Sequence, residues 1–130
     1  MSDFANSLSV SASGLRAQSE RLVHISENIA NADTPGYRRK TVAFETAFSG
    51  SGTTGTVDTG PVQLDRRDLT RVYDPGHPLA DATGQYDGSN VDLMIEIADA
   101  REAQRSYEAN LKMFEQARQM SSRLMELLRR

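Results

Sequence analysis

The sequence predicts a mainly α-helical chain in which two long amphipathic helices, near the N- and C-terminal ends, pair as a coiled coil around a small irregular or β-hairpin insertion. Three observations lead to this fold class. Apolar residues recur every seven positions before residue 32, glycine and proline cluster between residues 33 and 89, and neither occurs from residue 90 to 130. We therefore divide the chain into 1–32, 33–89 and 90–130, all within one domain.

The first helix is predicted from a seven-residue repeat of large apolar side chains, with charged residues and serines on the opposite side. The repeat gives a narrow apolar face suited to packing against one other helix. Its members are Leu8, Leu15, Leu22 and Ile29.

A turn is predicted where this repeat stops. Pro35 lacks a backbone N–H and biases the preceding residue away from the helical region, so the helix should end at about Ala32. Asn31 or Asp33 can adopt the left-handed conformation that closes a helix. Residues 34–37 place proline second and glycine third, as a type II turn requires.

The middle of the chain is predicted to be extended and partly mobile. Residues 41–48 alternate as a half-buried strand, with Val42, Phe44 and Phe48 on one side. Residues 50–60 contain four glycines and predict a mobile loop. Residues 62–64 and 69–73 predict a small hairpin that ends at a turn over residues 74–77. Since no Lys-Ser or Lys-Thr pair follows the glycines, a nucleotide site is not indicated.

The second helix is predicted to begin with Asn90 as its N-cap and to run for about 40 residues, or roughly 60 Å. A helix this long exceeds what a compact domain of this size can cover, so part of its apolar stripe should meet other molecules. The side chains predicted to pack are Leu93, Ile97, Tyr107, Leu111, Phe114 and Leu124.

Composition argues against several classes of function. A net charge of −3 does not favour nucleic-acid binding, and the absence of cysteine removes thiolate and disulfide chemistry. His24 and His77 have no nearby ligand partners and are predicted to be satisfied surface histidines. We therefore expect no metal, no cofactor, no small-molecule substrate and no enzymatic activity.

Residues 28–38, Asn-Ile-Ala-Asn-Ala-Asp-Thr-Pro-Gly-Tyr-Arg, closely resemble the signature of bacterial flagellar rod and hook proteins. Residues 73–82 and 105–111 are similar to one proximal rod member of that family, and residues 87–93 to its sister proximal rod protein. The resemblance covers both ends and the middle of the chain. By this resemblance the motif residues are Asn28, Asn31, Thr34, Pro35, Gly36, Tyr37 and Arg38.

The resemblance implies a structural subunit of the flagellar basal-body proximal rod, which assembles helically through its terminal helices and transmits torque across the periplasm. The implied partners are proximal and distal rod subunits, the rod-to-membrane-ring adaptor, other copies of the chain and the type III export apparatus. The N-terminal residues do not have the composition of a cleaved signal peptide, so export without such a signal is expected.

One other class fits the helical pattern. A soluble coiled-coil adaptor or secretion chaperone needs the same two amphipathic helices and would form a defined helical dimer. The helical pattern fits this alternative equally well when the signature is set aside, and self-association separates the two: the helicity of a rod subunit should rise with concentration or with added rod partners.

Overall fold

The computed structural model describes residues 2–49 and 52–130 and confirms a mainly helical fold with a helix at each end. The insertion between the helices consists of short strands. In chain order the elements are α1 Ser2–Ala30, β1 Lys40–Thr41, β2 Phe44–Ser49, β3 Gly52–Thr59, β4 Gln63–Leu64, β5 Arg71–Tyr73, β6 Gln85–Asp87 and α2 Leu93–Leu128. Among the described residues, neither helix is apolar enough over a sufficient length to cross a membrane.

The two helices pack antiparallel. Asn28, near the end of α1, contacts Glu96 in the first turn of α2, and Gly14 faces Asn110 further along. Residues that alternate in steps of three and four form the contact, which we call the seam, as in a coiled coil. These side chains are buried or half-buried, and they are Phe4, Leu8, Ser11, Leu15, Gln18, Leu22 and Ile25 on α1, with Glu96, Ala100, Ala103, Tyr107, Asn110, Phe114, Ala117, Ser121 and Leu124 on α2.

The longer helix extends past the beginning of the shorter one. Phe4 near the start of α1 lines one cavity with Ala117 and Met120 of α2, so the last turns of α2 have no part of α1 beside them. Leu127 and Leu128 in those turns are 66% and 72% exposed. The overhang expected from the two helix lengths is therefore present and carries apolar side chains.

Within its described residues, the insertion contains three two-stranded antiparallel sheets, which pair β1 with β4, β2 with β3, and β5 with β6. β3 lies along α1, where the Val57 N–H donates a hydrogen bond to the Ser13 hydroxyl over 3.0 Å. The β5–β6 pair lies beside the turn that follows α1, because the Gly36 N–H donates to the carbonyl of Gly88.

Two predictions about the extended region are wrong. β3 occupies residues 52–59 of the segment predicted to be a mobile loop, since its backbone pairs with β2; Gly50 and Ser51 lie outside the described residues. The predicted strand over residues 41–48 is divided between β1 and β2. A register shift between Thr46 and Phe48 interrupts the alternation, and Phe48 is 78% exposed rather than half-buried.

The predicted hairpin of residues 62–64 with 69–73 does not form. β4 pairs with β1 and β5 pairs with β6, because the hydrogen-bonding partners of both strands come from more distant parts of the chain. The predicted turn over residues 74–77 is present, with the His77 N–H donating to the Asp74 carbonyl over 3.0 Å.

The helix ends also differ from the prediction. α1 ends at Ala30, and no described residue other than glycine has a positive φ, so neither Asn31 nor Asp33 closes the helix in a left-handed conformation. Asp92, not Asn90, caps α2: its carboxylate accepts from the Met94 N–H over 3.0 Å. A carboxylate at this position also interacts favourably with the helix dipole.

Candidate functional site

The candidate site begins at the turn after α1, residues 31–37, which we call the hinge turn. The Tyr37 N–H donates to the Thr34 carbonyl over 3.2 Å, and Gly36 has a φ of 74°. This geometry is that of the predicted type II turn, with glycine where positive φ is required. Asn31 stabilises the entry: its Nδ2 donates to the Glu27 carbonyl and its Oδ1 accepts from the Thr34 hydroxyl. Pro35 is half-buried.

Asn28 connects α1 to the chain that leaves the hinge turn. Its side chain is 1% exposed, and both ends of its amide are fully used. Nδ2 donates to the Lys40 carbonyl over 2.9 Å and to Glu96 Oε2 over 3.3 Å. Oδ1 accepts from the Tyr37 hydroxyl over 2.8 Å and from the Lys40 N–H over 2.9 Å. One side chain thus fixes α1, α2 and the start of the insertion relative to each other.

Glu96 is a fully buried carboxylate on α2, with 0% exposure. Arg39 Nε donates to its Oε1, and the other arm of the guanidinium reaches Asp99 Oδ2 over 2.7 Å. A buried charge needs such a partner, because removing it from water without one is strongly unfavourable. The ion pair therefore ties the segment after the hinge turn to the first turns of α2.

Asn90 holds the same segment from the other side. Its Oδ1 accepts from the Arg39 N–H over 2.7 Å, and its Nδ2 donates to the carbonyls of Asp65 and Arg67. Arg38 donates to these same two carbonyls over 3.1 and 3.0 Å. Together with the residues above, Asn90 completes what we call the polar cluster: Asn28, Tyr37, Arg39, Asn90 and Glu96.

Two further ionisable groups lie at the rim of the polar cluster. Lys40 Nζ donates to Glu27 Oε2 over 2.9 Å, and this hydrogen bond lowers the pKa of Glu27 and raises that of Lys40. Burial raises the pKa of the Tyr37 phenol, which keeps it a hydrogen-bond donor toward Asn28. The rim charges therefore stay ionised and paired around neutral pH.

His24 differs from its predicted role as a satisfied surface residue. Its side chain is only 14% exposed, and both ring nitrogens are buried without a hydrogen-bond partner. They lie 3.8 Å from the carboxylates of Glu20 and Glu27 because all three side chains project from one face of α1. His77 stacks on Tyr86, with 4.0 Å between ring centres, and its Nδ1 accepts from the Leu79 N–H.

A cavity of about 320 Å³ opens beside the polar cluster, lined in part by Arg21, His24, Arg39 and Phe44. The guanidinium of Arg39 is already bonded to Glu96 and Asp99, so this group holds the fold rather than a ligand. Within residues 2–49 and 52–130, no group of three or more histidine or acidic side chains is arranged to bind a metal ion. These contacts hold α1, α2 and the insertion together, so the polar cluster has a structural role.

The predicted packing residues fall into two groups. The first group lies half-buried on the seam, and it contains Leu8, Leu15, Leu22, Tyr107, Phe114 and Leu124. The second group is 37–48% exposed and is not covered within the chain; it contains Ile29, Leu93, Ile97 and Leu111. A packing role for the second group stays a prediction about contacts between subunits.

Sequence reasoning missed three members of the polar cluster, namely Arg39, Asn90 and Glu96. One signal was available for Glu96. It precedes Ala103, Asn110 and Ala117 by successive steps of seven, so the heptad repeat places it on the seam, where a charged residue requires a buried partner. No local pattern identifies Arg39 as that partner, because it is 57 residues away in the sequence.

Comparisons with known proteins match residues near both ends of the chain. The family model described as "Flagella basal body rod protein" matches residues 8–38, which include the hinge turn, and "Flagellar basal body rod FlgEFG protein C-terminal" matches residues 82–127. The chain is 44% identical to the flagellar basal-body rod protein FlgC of Agrobacterium fabrum, covering 92% of this chain and 91% of the relative. It is 34% identical to FlgC of Salmonella typhimurium and 35% identical to FlgC of Bacillus subtilis, each covering 94% of this chain and 96% of the relative.

Proposed function

This chain belongs to the flagellar basal-body rod family, as a relative of the FlgC proteins, and from that premise we propose that it is a proximal rod subunit that transmits torque through packed terminal helices. It is a structural subunit of the flagellar basal-body rod and associates with other rod components. The helical assembly, its place in the proximal rod and its passage across the periplasm belong to the proposal.

The observation that carries the proposal is the width of the apolar face on α2. Large apolar side chains flank the seam on both sides and are 37–66% exposed, because α1 covers only the middle of the face. Apolar residues at these positions are typical of helices that pack against more than one neighbour. We call them the flanking residues: Ile97, Leu111 and Met125 on one side, with Met113, Met120 and Leu127 on the other.

Contacts that this face of α2 makes with another subunit can join two unlike surfaces, and such contacts are called heterologous. The flanking residues lie along α2, while the strand β3 lies along α1, where the Val57 N–H donates to the Ser13 hydroxyl. A contact between unlike surfaces that does not close on itself generates a helical array. This supports assembly of the subunit into the wall of a tubular rod.

The small amount of apolar burial in the seam supports the proposal that the helices become ordered on assembly. The fully buried apolar residues of the described chain are Ala17, Ile25, Ala103 and Ala117, so the isolated pair buries few large apolar side chains. Neighbouring subunits would add the missing burial and stabilise the folded form by mass action. We therefore propose that the chain passes the type III export apparatus at least partly unfolded and without a cleaved signal, and that its helices order in the rod.

The proposed partners are proximal and distal rod subunits, the rod-to-membrane-ring adaptor and other copies of the chain. Between the two proximal rod members that the sequence resembles, the names of the relatives favour FlgC over its sister protein. Family membership likewise favours a rod subunit over a soluble coiled-coil adaptor.

The proposal is tested by deleting the chain in its source cell and restoring it with a tagged copy. We expect deletion to abolish swimming and to remove the rod from purified basal bodies. The tagged copy should restore both and be located in the proximal rod by labelling. Intact basal bodies without the chain would contradict the proposal.

A further inference from the structure

Two positions along the seam make close contacts between the helices, and Arg21 adds ion pairs to Asp99 and Glu102 at the edge of the seam between them. Near the hinge turn, the Asn28 amide donates to Glu96 over 3.3 Å. Further along, Gly14 faces Asn110, and a Cβ added to Gly14 would fall 2.9 Å from the amide atoms of Asn110. Residues 14 and 28 are two heptads apart on α1, as are residues 96 and 110 on α2.

We propose that these two contacts form a register key that permits only one alignment of α1 with α2. The register key consists of Gly14, Asn28, Glu96 and Asn110. The side chains are complementary at both contacts. The buried Glu96 carboxylate accepts from the Asn28 amide, and the Asn110 amide fits against Gly14, which has no side chain. The inference concerns the chain's internal pairing and does not depend on rod assembly.

Most other seam positions carry apolar side chains, whose burial is non-directional and fixes register less sharply than a buried polar pair. Ala103 and Ala117 lie between and beyond the two key points, and the heptad spacing of the leucines on α1 is preserved when the helices slide by seven residues. A slide in one direction would bring Ala103 to Asn28 and Ala117 to Gly14. A slide in the other would place Asn28 before the start of α2.

Either slide separates Asn28 from Glu96. The amide would lose a buried partner, and the carboxylate would lose the environment in which Arg39 and Asn28 both donate to it. Leaving a buried charge or amide unsatisfied is strongly unfavourable. Fixing register is also the best-supported role for a buried polar group in paired helices.

The register key has a consequence for the surface of the molecule. Because Asn28 also fixes Tyr37 and Lys40, the alignment of α2 is set relative to the insertion as well as to α1. Each of the flanking residues is thereby held at a fixed height along the pair. A slipped α2 would present them about 10 Å away, since seven residues of helix rise by roughly that distance.

The test uses pairs of introduced cysteines, which give a clean signal because the chain has none of its own. Ser7→Cys with Gln116→Cys reports the observed alignment, since both residues line one cavity between the helices. Ser7→Cys with Arg123→Cys, or with Ala109→Cys, reports a slide of one heptad in either direction. The full-length chain is treated in cells with a short bismaleimide, and cross-linked monomers are identified by their mobility on a denaturing gel.

When the register key is unaltered, we expect cross-links only in the chain that carries Ser7→Cys with Gln116→Cys. Glu96→Leu should raise cross-linking in the shifted pairs on the order of tenfold or more. Glu96→Gln, which keeps the shape and one of the two acceptor oxygens, should raise cross-linking in the shifted pairs less than Glu96→Leu does. Leu15→Ala is the matched control: it weakens the seam outside the register key and should leave the pattern unchanged.

The inference is overturned if Glu96→Leu leaves the shifted pairs silent, or if Leu15→Ala activates them equally. Asn110→Leu provides the second measurement, because it alters the other key point and leaves the polar cluster intact. If the Glu96→Leu chain does not accumulate, Asn110→Leu decides the outcome by the same criterion.

Discussion

At the hinge end of the helical pair, Asn28 and Glu96 are 1% and 0% exposed, and their polar atoms are engaged within the chain. At the opposite end, Leu127 and Leu128 are 66% and 72% exposed, and α1 does not reach them. Polar groups are buried at one end and apolar groups are exposed at the other.

This contrast separates two structural tasks. The polar cluster at the hinge end is complete in one chain, because each of its amides and charges has its partner there. The overhang is incomplete, because an apolar surface in water favours a neighbour. Substitutions in the polar cluster should therefore change the stability of the chain itself, and substitutions at the overhang should change assembly alone.

The largest effect on stability is expected from Asn28→Ala. The substitution leaves the Lys40 N–H, the Tyr37 hydroxyl and a Glu96 oxygen without a buried partner, so unfolding should become easier by about 3–5 kcal/mol. Urea unfolding followed by circular dichroism measures this. Asn31→Ala is the control and should cost less than half as much; equal effects would contradict a special role for Asn28.

A smaller loss is expected from Gly36→Val. A Cβ added to Gly36 would meet nothing within 4 Å, so the expected effect comes from holding a β-branched residue at a φ of 74°. That strain is worth about 1–3 kcal/mol. Gly76→Val, at a turn without positive φ, is the matched control. If both variants unfold at the same urea concentration, the type II assignment of the hinge turn is wrong.

A third effect concerns the stability of the folded chain at low pH. Hydrogen bonds from the Thr83 hydroxyl and the Gln85 N–H hold the pKa of Asp81 well below its usual 3.8. Because the folded pKa is lowered, this stabilisation is complete above the usual pKa and is lost as pH falls below it. An NMR titration should show Asp81 still ionised at pH values where an ordinary aspartate is half protonated. Titration of Asp81 near 3.8, or an unchanged pKa in Thr83→Ala, would contradict this account.

The smallest effect on stability is expected from Met120→Asp, and here the comparison between the two ends is sharpest. Met120 is 50% exposed, so the free energy of unfolding should change by no more than about 0.5 kcal/mol. Assembly should nevertheless fail, because a carboxylate would replace an apolar contact between subunits. Gln119→Asp introduces the same charge at the adjacent exposed position and should leave swimming and purified rods normal. Normal swimming in both variants would remove Met120 from the interface.

Features set by local sequence were predictable. The heptad repeats gave the seam positions of Leu8, Leu15 and Leu22, and residues 34–37 gave the turn type, since each depends on residues a few positions apart. The polar cluster was not predictable in this way. The local context of Asn90 predicts a helix cap, yet its partners are the backbones of Arg39, Asp65 and Arg67.

The strand β3 is a second element that local sequence did not predict. Its glycines and threonines favour a flexible segment by composition, but pairing with β2 and the bond from Val57 to Ser13 organise it against α1. Strand formation depends strongly on tertiary context, and that context lies outside any local window. The same reason explains why β4 and β5 found partners other than each other.

The β5–β6 pair lies beside the hinge turn, at the end of the helical pair opposite the overhang, because the Gly36 N–H donates to the Gly88 carbonyl. The loop that joins these two strands can therefore change in length without moving the polar cluster. Residues 78–80, at the far side of the β5–β6 pair, are a suitable graft point, since Leu79 is 64% exposed. An epitope or fluorescent domain inserted there would mark the position of the subunit while leaving the surfaces for its neighbours unchanged.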